Sequence, residues 1–346
     1  MSTQTVFRIN KGTSYEDISV NKEEIPVPAA NEVLIKVKAV SLNYRDIAIS
    51  TGAYPFPVKR DVVPCSDASG EVVSFGHNVR GFEVGDKVVS NFDITNLYGP
   101  QQDWEGGLGG PIDGVLREYV TLPYESVVKA PSSLKLSFEL LASLVCTGTT
   151  AWNALYGNNQ LKPGQIVLLQ GTGGVSMTGL LLAKAAGAIT ILTSSSDEKL
   201  ERIKAKYGVD YTVNYKKFPK WGEAVNQMIG KNRVDYIFEN GGSGNIEQSI
   251  ECIAYGGQIG IIGFLNVAKQ SEMPDAVALA LSKGCVMRGI TVGSKQLLEE
   301  LMRFVNSKGL SIPVDKSFKF SKPEVIEAYK HLQSGSQVGK VCVTLD

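Results

Sequence analysis

The chain has 346 residues, enough for about two domains at roughly 150 residues each. Lys plus Arg and Asp plus Glu are both 35, and this zero formal charge argues against a nucleic-acid binder that works by neutralising phosphates. Hydrophobic residues are 43% and charged residues 20%, which excludes disorder, and no apolar run reaches the ~20 residues of a membrane span.

Residues 1–130 carry short β-like runs punctuated by Pro and Gly: EVLIKVKAVSL (32–42), SGEVVSFG (69–76), DKVVSNF (86–92) and GVLREYVTLP (114–123). Between them, Asn91 to Gly114 is a long loop holding Gly99, Gly106, Gly107, Gly109, Gly110, Tyr98 and Trp104. It reads as a lid, a pocket wall or a plain surface excursion. From Ser137 the pattern becomes strands alternating with helices. The strand QIVLLQG (165–171) is followed by an apolar helix, Val175–Ala186. AITILTS (188–194) precedes a helix through SDEKLERIKAKYG, and YTVNY (211–215), VDYIFENGG (234–242), QIGIIGFL (258–265) and VMRGITVG (286–293) come after it. That alternation predicts a parallel, doubly wound α/β sheet. After Lys295 a helix, the strand KSFKF, another helix and KVCVTL return to the style of the first part. The nucleotide fold is therefore expected as an insertion, with 1–145 and 296–346 forming one domain and 146–295 the other.

Gly171-Thr172-Gly173-Gly174-Val175-Ser176 closes the first strand of the alternating region and opens a helix. It matches G-x-G-x-x-G with a serine in the third position. The strand before and the helix after make it a dinucleotide turn, where backbone N–H groups meet a pyrophosphate at a helix N-terminus. The next strand ends Thr193-Ser194-Ser195-Ser196 instead of on an acidic residue, with Lys199 one turn further. Hydroxyls and an ammonium suit a 2′-phosphate, so NADPH is expected over NADH. Asp197 and Glu198 run against this, and Ser195 with Glu198 also reads as a helix-capping box.

With these features in view, the chain resembles the medium-chain dehydrogenases/reductases, the superfamily of alcohol dehydrogenases and quinone oxidoreductases. The resemblance is carried by LNYRDIAISTGAYP (42–55), VPCSDASGEVVSFG (63–76), Val84–Val88, LVCTGTTAW (144–152), GTGGVS (171–176) and the closing GKVCVTLD. It implies a GroES-like β-rich catalytic domain beside a Rossmann domain. Zinc members place a Cys-His pair, a Gly-His-Glu and a Cys in three of these segments. Here the same positions read Asn43-Tyr44, Cys65-Ser66-Asp67 and Cys146, and the lobe of four clustered cysteines is absent. Catalytic zinc needs three Cys, His or carboxylate ligands, so the expectation is no metal, with Cys146 a small buried hydrophobe.

The segment Asn43 to Tyr54 is instead similar to the zinc-free quinone and enoyl reductases. By that likeness Tyr54 lines the substrate pocket as a hydrogen-bond donor, Asn43 holds cofactor or substrate oxygen, and Tyr44 is a second candidate donor. Asp46 is expected to cap a turn or pair with Arg45. The same likeness assigns Tyr215 to the adenosine phosphate. It assigns Asn240 and Gly263-Phe264-Leu265 to strand ends near the nicotinamide, and Thr147 and Thr150 to its surroundings. Lys340 is read as a surface lysine or a 2′-phosphate ligand.

The resulting expectation is an NADPH-dependent, zinc-free oxidoreductase acting on a carbonyl-containing small molecule: an enone or quinone C=C, or an aldehyde or ketone C=O. The alternatives are a strict C=O reductase, and an NADPH-binding scaffold without turnover. The start of the chain has no apolar signal core, and its five scattered cysteines suggest no disulfide framework, so a cytoplasmic location is expected. The resemblance implies a homodimer through the edge strand near Val286–Gly293.

Overall fold

The computed structural model describes every residue except Met1, Lys11 and Asn232. The chain divides into two compact units, residues 1–149 with 292–346, and residues 150–291. These limits differ from the expected breaks after 145 and 295, for a local reason. The Cys146 N–H is tied to Asp67 at 3.1 Å, and the Lys295 N–H is tied to the Asn96 carbonyl at 2.9 Å. Both tethers hold flanking residues to the first unit.

That unit starts with β1 (Thr3–Arg8) and β2 (Ser19–Glu24), an antiparallel pair. Then come β3 (Glu32–Leu42), α1 (Tyr44–Ser50), β4 (Asp67–Phe75), β5 (Lys87–Val89), β6 (Tyr119–Pro123), β7 (Val128–Lys129) and α2 (Phe138–Ala142). A π-helical turn, Leu144–Gly148, leads into α3 (Thr149–Tyr156). The strand expected over 114–123 forms only from Tyr119.

The second unit alternates strictly parallel strands with helices: β8 (Ile166–Gln170), α4 (Gly174–Ala185), β9 (Ile189–Ser194), α5 (Asp197–Tyr207), β10 (Tyr211–Asn214) and α6 (Trp221–Ile229). It continues with β11 (Val234–Glu239), α7 (Ile246–Cys252), β12 (Ile253–Ile261), α8 (Ala276–Lys283) and β13 (Val286–Gly289). The order is β10-β9-β8-β11-β12-β13. β8 is buried along its whole length, as a central strand covered by helices on both faces must be. Successive strands run outward from β8 on one side, then restart beside it with β11. The reversal puts a switch point between those two strands, where ligands bind in such sheets. The strand expected over 258–265 is shifted: β12 ends at Ile261, and Gly263 to Leu265 lie past it.

Back in the first unit are α9 (Lys295–Lys308), β14 (Val314–Lys319), α10 (Lys322–Gln333) and β15 (Lys340–Thr344). The sheet order is β14-β15-β3-β4-β5-β7, with β6 also on β3. Val37, Val72, Val120, Tyr329 and Val341 are among its buried core. Two registers fix one corner of this sheet: Val341 pairs with Leu42, and Ser41 pairs with Asp67. The end of β3 therefore lies between the starts of β15 and β4, although the three are far apart in sequence.

One local expectation is corrected. α5 is capped by Ser196, whose hydroxyl accepts from the Lys199 N–H at 3.3 Å, so the Ser195–Glu198 box is not formed. Close packing of α4 on the sheet rests on Gly179, where a Cβ would sit 2.7 Å from both Leu169 Cδ2 and Phe238 Cε1. Ser176, in the third glycine position, is buried and donates to the Gln170 carbonyl at 2.6 Å. Overpacking a filled contact costs ~1–3 kcal/mol. Gly179→Val is thus expected to lower unfolding free energy by about that amount in urea denaturation, without abolishing the fold.

Candidate active site

In the second unit, register gathers most of the expected cofactor residues along one edge of the sheet. Gln170 pairs with Thr193, Asn214 with Ser194 and Glu239 with Ile261. Gly171, Ser195, Tyr215, Asn240 and Gly263 thus all emerge at the carboxyl ends of their strands. Gly171 has a φ of +77°, which an L side chain rarely adopts, and its N–H bonds the Thr193 carbonyl at 3.0 Å. Thr172 is buried, and Gly173 is the N-cap of α4 with no side-chain cap bond. A Cβ on Gly171 or Gly173 would meet nothing within 4 Å. The first-turn N–H groups of α4, at Gly174, Val175 and Ser176, have no partner within the helix and lie at the positive end of its twelve residues, behind this open turn. Such a cradle fits a pyrophosphate.

The residues around the cradle are held by a buried carboxylate that sequence reasoning missed. Glu239 is fully buried. It accepts from Gln170 Nε2 at 2.7 Å, from the N–H groups of Gly241 at 2.9 Å and Gly242 at 3.0 Å, and from the Ser249 hydroxyl. Burial raises its carboxyl above the usual range, against the pull of these donors. Asn240 is locked beside it, its Nδ2 donating to the Gln170 carbonyl at 2.8 Å and to Ser176 Oγ at 2.9 Å. Beyond β12, the Leu265 N–H reaches the Asn240 carbonyl at 3.2 Å, and Phe264 and Leu265 are exposed.

At the end of β9, Ser194 is buried and its hydroxyl accepts from the Ser196 N–H at 3.3 Å. The Tyr215 N–H bonds the Ser194 carbonyl at 3.1 Å while its ring is exposed. Lys199 is half-buried in the first turn of α5. Asp197, the residue that ran against a phosphate site, accepts from Asn214 Nδ2 at 2.7 Å and is paired with Lys217. The hydrogen bond from Lys217 holds its carboxyl below the usual range. Thr150 is buried in α3.

In the first unit the three segment positions meet at the β15–β3–β4 corner. Asn43 is 7% exposed and Asp67 is fully buried. Lys340 is neither a surface lysine nor free for a distant phosphate: it is 3% exposed. Its Nζ donates to the Leu42 carbonyl at 2.7 Å and to Asn43 Oδ1 at 2.6 Å, and lies 3.8 Å from Asp67 Oδ2. Asp67 also accepts from the Ser66 hydroxyl at 2.6 Å. Asn43 Nδ2 is buried with no partner. Cys146 is partly buried, and burial together with the Asp67 carboxylate pushes its thiol up to about 12. Cys65 has a φ of +69°, the conformation a glycine takes without strain, and is buried against Tyr329. Thr147 donates its hydroxyl to the Ser143 carbonyl at 2.9 Å.

Tyr54 is organised by Arg45, another residue without a sequence signal. Arg45 Nε donates to the Tyr54 hydroxyl at 3.1 Å and Nη1 to the Leu108 carbonyl at 2.7 Å. Its guanidinium lies 4.7 Å from the Phe92 ring centroid. Arg45 thus does not pair with Asp46. The glycine-rich loop divides: Tyr98 to Pro100 are exposed, whereas Gly106 to Gly110 are buried, and a Cβ on Gly110 would sit 2.3 Å from Arg45 Nη2. At its tip Trp104 stacks on Phe56 at 4.2 Å, which contacts Tyr54 edge-on at 5.4 Å. A cavity of about 370 Å³ is lined by Tyr54, Phe56, Ile49 and Asn10 among others. Tyr44 is half exposed.

Comparison with known proteins agrees with both units. The alcohol dehydrogenase GroES-like domain model matches residues 29–132, and the zinc-binding dehydrogenase model matches residues 174–307. The chain belongs to the medium-chain dehydrogenase/reductase superfamily. It is an alcohol dehydrogenase-like oxidoreductase. A zinc-type alcohol dehydrogenase-like protein of Schizosaccharomyces pombe is 42% identical, with 94% of each chain covered. An acryloyl-coenzyme A reductase of Sulfurisphaera tokodaii is 27% identical, covering 93% of this chain and 95% of that one. A solved NAD-dependent alcohol dehydrogenase superposes with a TM-score of 0.86 at 28% identity, covering 99% and 100%. Among the described residues no three His, Cys, Asp or Glu side chains group so as to hold a metal ion, and no helix is long and apolar enough to cross a membrane.

Asp46 supplies a pH test. Its carboxylate accepts from the Asn43 N–H at 2.7 Å, yet Oδ1 is buried without a partner, and burial raises its pKa to about 6. A raised carboxyl pKa means the folded state holds the proton more tightly, so its contribution is fully present below the ordinary value of 3.8 and is lost as pH rises through about 6. Asp46→Asn is expected to gain stability relative to the parent across pH 4 to 6. The gain should level off near neutrality at up to about 3 kcal/mol in urea unfolding.

Proposed function

We infer that this oxidoreductase uses NADPH to reduce a carbonyl-conjugated substrate without a metal ion, acting on an enone or quinone C=C. The observation that carries the reading is the Asn43 amide, whose Nδ2 is buried without an acceptor while its oxygen is held by Lys340. A buried N–H pair left unmade costs free energy, which an incoming oxygen would recover. The second donor is Tyr54. Because Arg45 Nε–H occupies a lone pair of its oxygen, the phenolic proton is directed elsewhere. Donors aimed at an oxygen that gathers negative charge perform the task a metal performs in other members.

The nicotinamide group supplies the hydride when bound. The Gly171–Val175 turn would hold its pyrophosphate. Ser194, Ser195 and Lys199 would hold a 2′-phosphate, with Lys217 neutralising the carboxylate of Asp197 that would otherwise repel it. The aromatic trio Tyr54, Phe56 and Trp104 suits a planar, apolar substrate body. The name of the acryloyl-coenzyme A reductase relative supports C=C reduction. Reduction at C=O is the second reading, favoured by the alcohol dehydrogenase names among the relatives. The buried Asn43 amide with an unmade donor argues against a silent scaffold, which has no use for one.

The test is product identification with 2-cyclohexen-1-one. NADPH is expected to give cyclohexanone; the allylic alcohol would establish the C=O reading, and no turnover across quinones, enones, aldehydes and ketones would establish the scaffold. A kcat/KM with NADH equal to or above that with NADPH would remove the 2′-phosphate assignment. Tyr54→Phe is expected to lower kcat about tenfold or more with the NADPH dissociation constant unchanged.

We also propose that the protein is a homodimer in the cytoplasm. β13 is the outer strand of its sheet, and α8 beside it in sequence has no buried residue, with Val277 and Leu281 each 82% exposed. An unpaired edge next to an apolar helix calls for a cover, and a second copy supplies a matching one. Light scattering should give twice the chain mass for the parent and the single chain mass for Val277→Glu/Leu281→Glu.

A further inference from the structure

We propose that Lys340 is a positioning residue for the reaction: its buried ammonium fixes which end of the Asn43 amide is presented to the substrate. The inference rests on the reading of Asn43 as a donor and adds the reason why it is one. An asparagine side chain fits its site almost equally well in two orientations that exchange oxygen and nitrogen. Here one orientation is excluded by charge. Lys340 Nζ lies 2.6 Å from Oδ1, and the exchanged amide would place its own N–H groups against an ammonium. The ammonium cannot turn away, because it also donates to the Leu42 carbonyl at 2.7 Å and sits 3.8 Å from the buried Asp67 carboxylate. Both N–H bonds of Asn43 are thereby left pointing away from Lys340, on a buried nitrogen with no protein partner.

The backbone makes this arrangement obligatory. Asn43 follows the last residue of β3 and Lys340 is the first of β15, one step beyond the Leu42–Val341 pair. Asp67, opposite Ser41, closes the third side. In an isolated loop the same lysine would be a mobile surface charge; between these strands it is a fixed one. Hydrogen bonding to a cation also polarises the amide, making its N–H groups stronger donors.

A double-mutant cycle on Lys340→Met and Asn43→Ala tests this, with 2-cyclohexen-1-one as the probe and NADPH as the reductant. Lys340→Met is expected to lower kcat about 10- to 100-fold, with the NADPH dissociation constant, read by fluorescence titration, changed less than about threefold. In the Asn43→Ala background the same change is expected to add almost nothing, because the group it orients is gone. Equal losses in both backgrounds, or a loss confined to NADPH binding, would overturn the role of Lys340 while leaving Asn43 as a donor. An unchanged kcat for Asn43→Ala would overturn the underlying reading of Asn43 itself. Should Lys340→Met alone fail to fold for want of a counter-charge to Asp67, the comparison is made between Asp67→Asn and Asp67→Asn/Lys340→Met, where no carboxylate is stranded.

Discussion

A lysine ammonium taken out of water must be neutralised where it sits, and in the first unit that requirement organises everything around it. Lys340 finds a backbone carbonyl, an amide oxygen and a carboxylate within one corner of the sheet. Removing any of them leaves a charge or a lone pair stranded at a cost of several kcal/mol. The corner therefore cannot relax independently of the strands that form it. The register of β15 on β3 and of β3 on β4 is a precondition of this charge cluster, and the cluster in turn penalises any slip of that register.

The second unit solves the opposite problem with the same means. Under the proposed reading its task is to attract a polyanion, yet the chain as a whole carries no excess charge. The attraction is local: helix N–H groups at the glycine turn, hydroxyls at the end of β9, and a cation that cancels Asp197. A negative group, Glu239, sits beneath this surface without spoiling it, because its contacts are donors from the neighbouring strand β8, from its own following turn and from Ser249 in α7. It joins β8 to β11 at the switch point, so the strand ends there are fastened to one another rather than left as loops.

What can be read from the sequence is whatever depends on local pattern. The strand over 32–42 and the turn from Gly171 to Ser176 announce themselves by alternation and by glycine spacing. The grouping of Asn43, Asp67 and Cys146 comes from likeness to a family. What stays hidden depends on register or on threading. Lys340 lies in a Gly-Lys pair that resembles any surface lysine until antiparallel pairing places it beside Asn43. Arg45 gives no sign that it reaches Leu108. Three serines in a row offer three possible caps for α5, and only the backbone angle at Ser196 selects one. The β1–β2 pair escapes notice because its alternate residues are Lys, Glu and Gln, with too little apolar contrast to mark a strand.

The packing of Arg45 against the Gly106–Gly110 loop sets, under the proposed reading, the terms on which substrate range can drift during evolution. Glycine content is constrained, since Gly109 has a φ of +72° and a methyl group there would sit 2.6 Å from the Cys65 carbonyl oxygen. Phe56 and Trp104 carry no such obligation: they meet each other and Tyr54 only through ring contacts. New specificities on this scaffold should therefore arise by exchanging individual aromatic side chains on an unchanged backbone, with loop grafting between relatives succeeding only when the arginine travels with the loop.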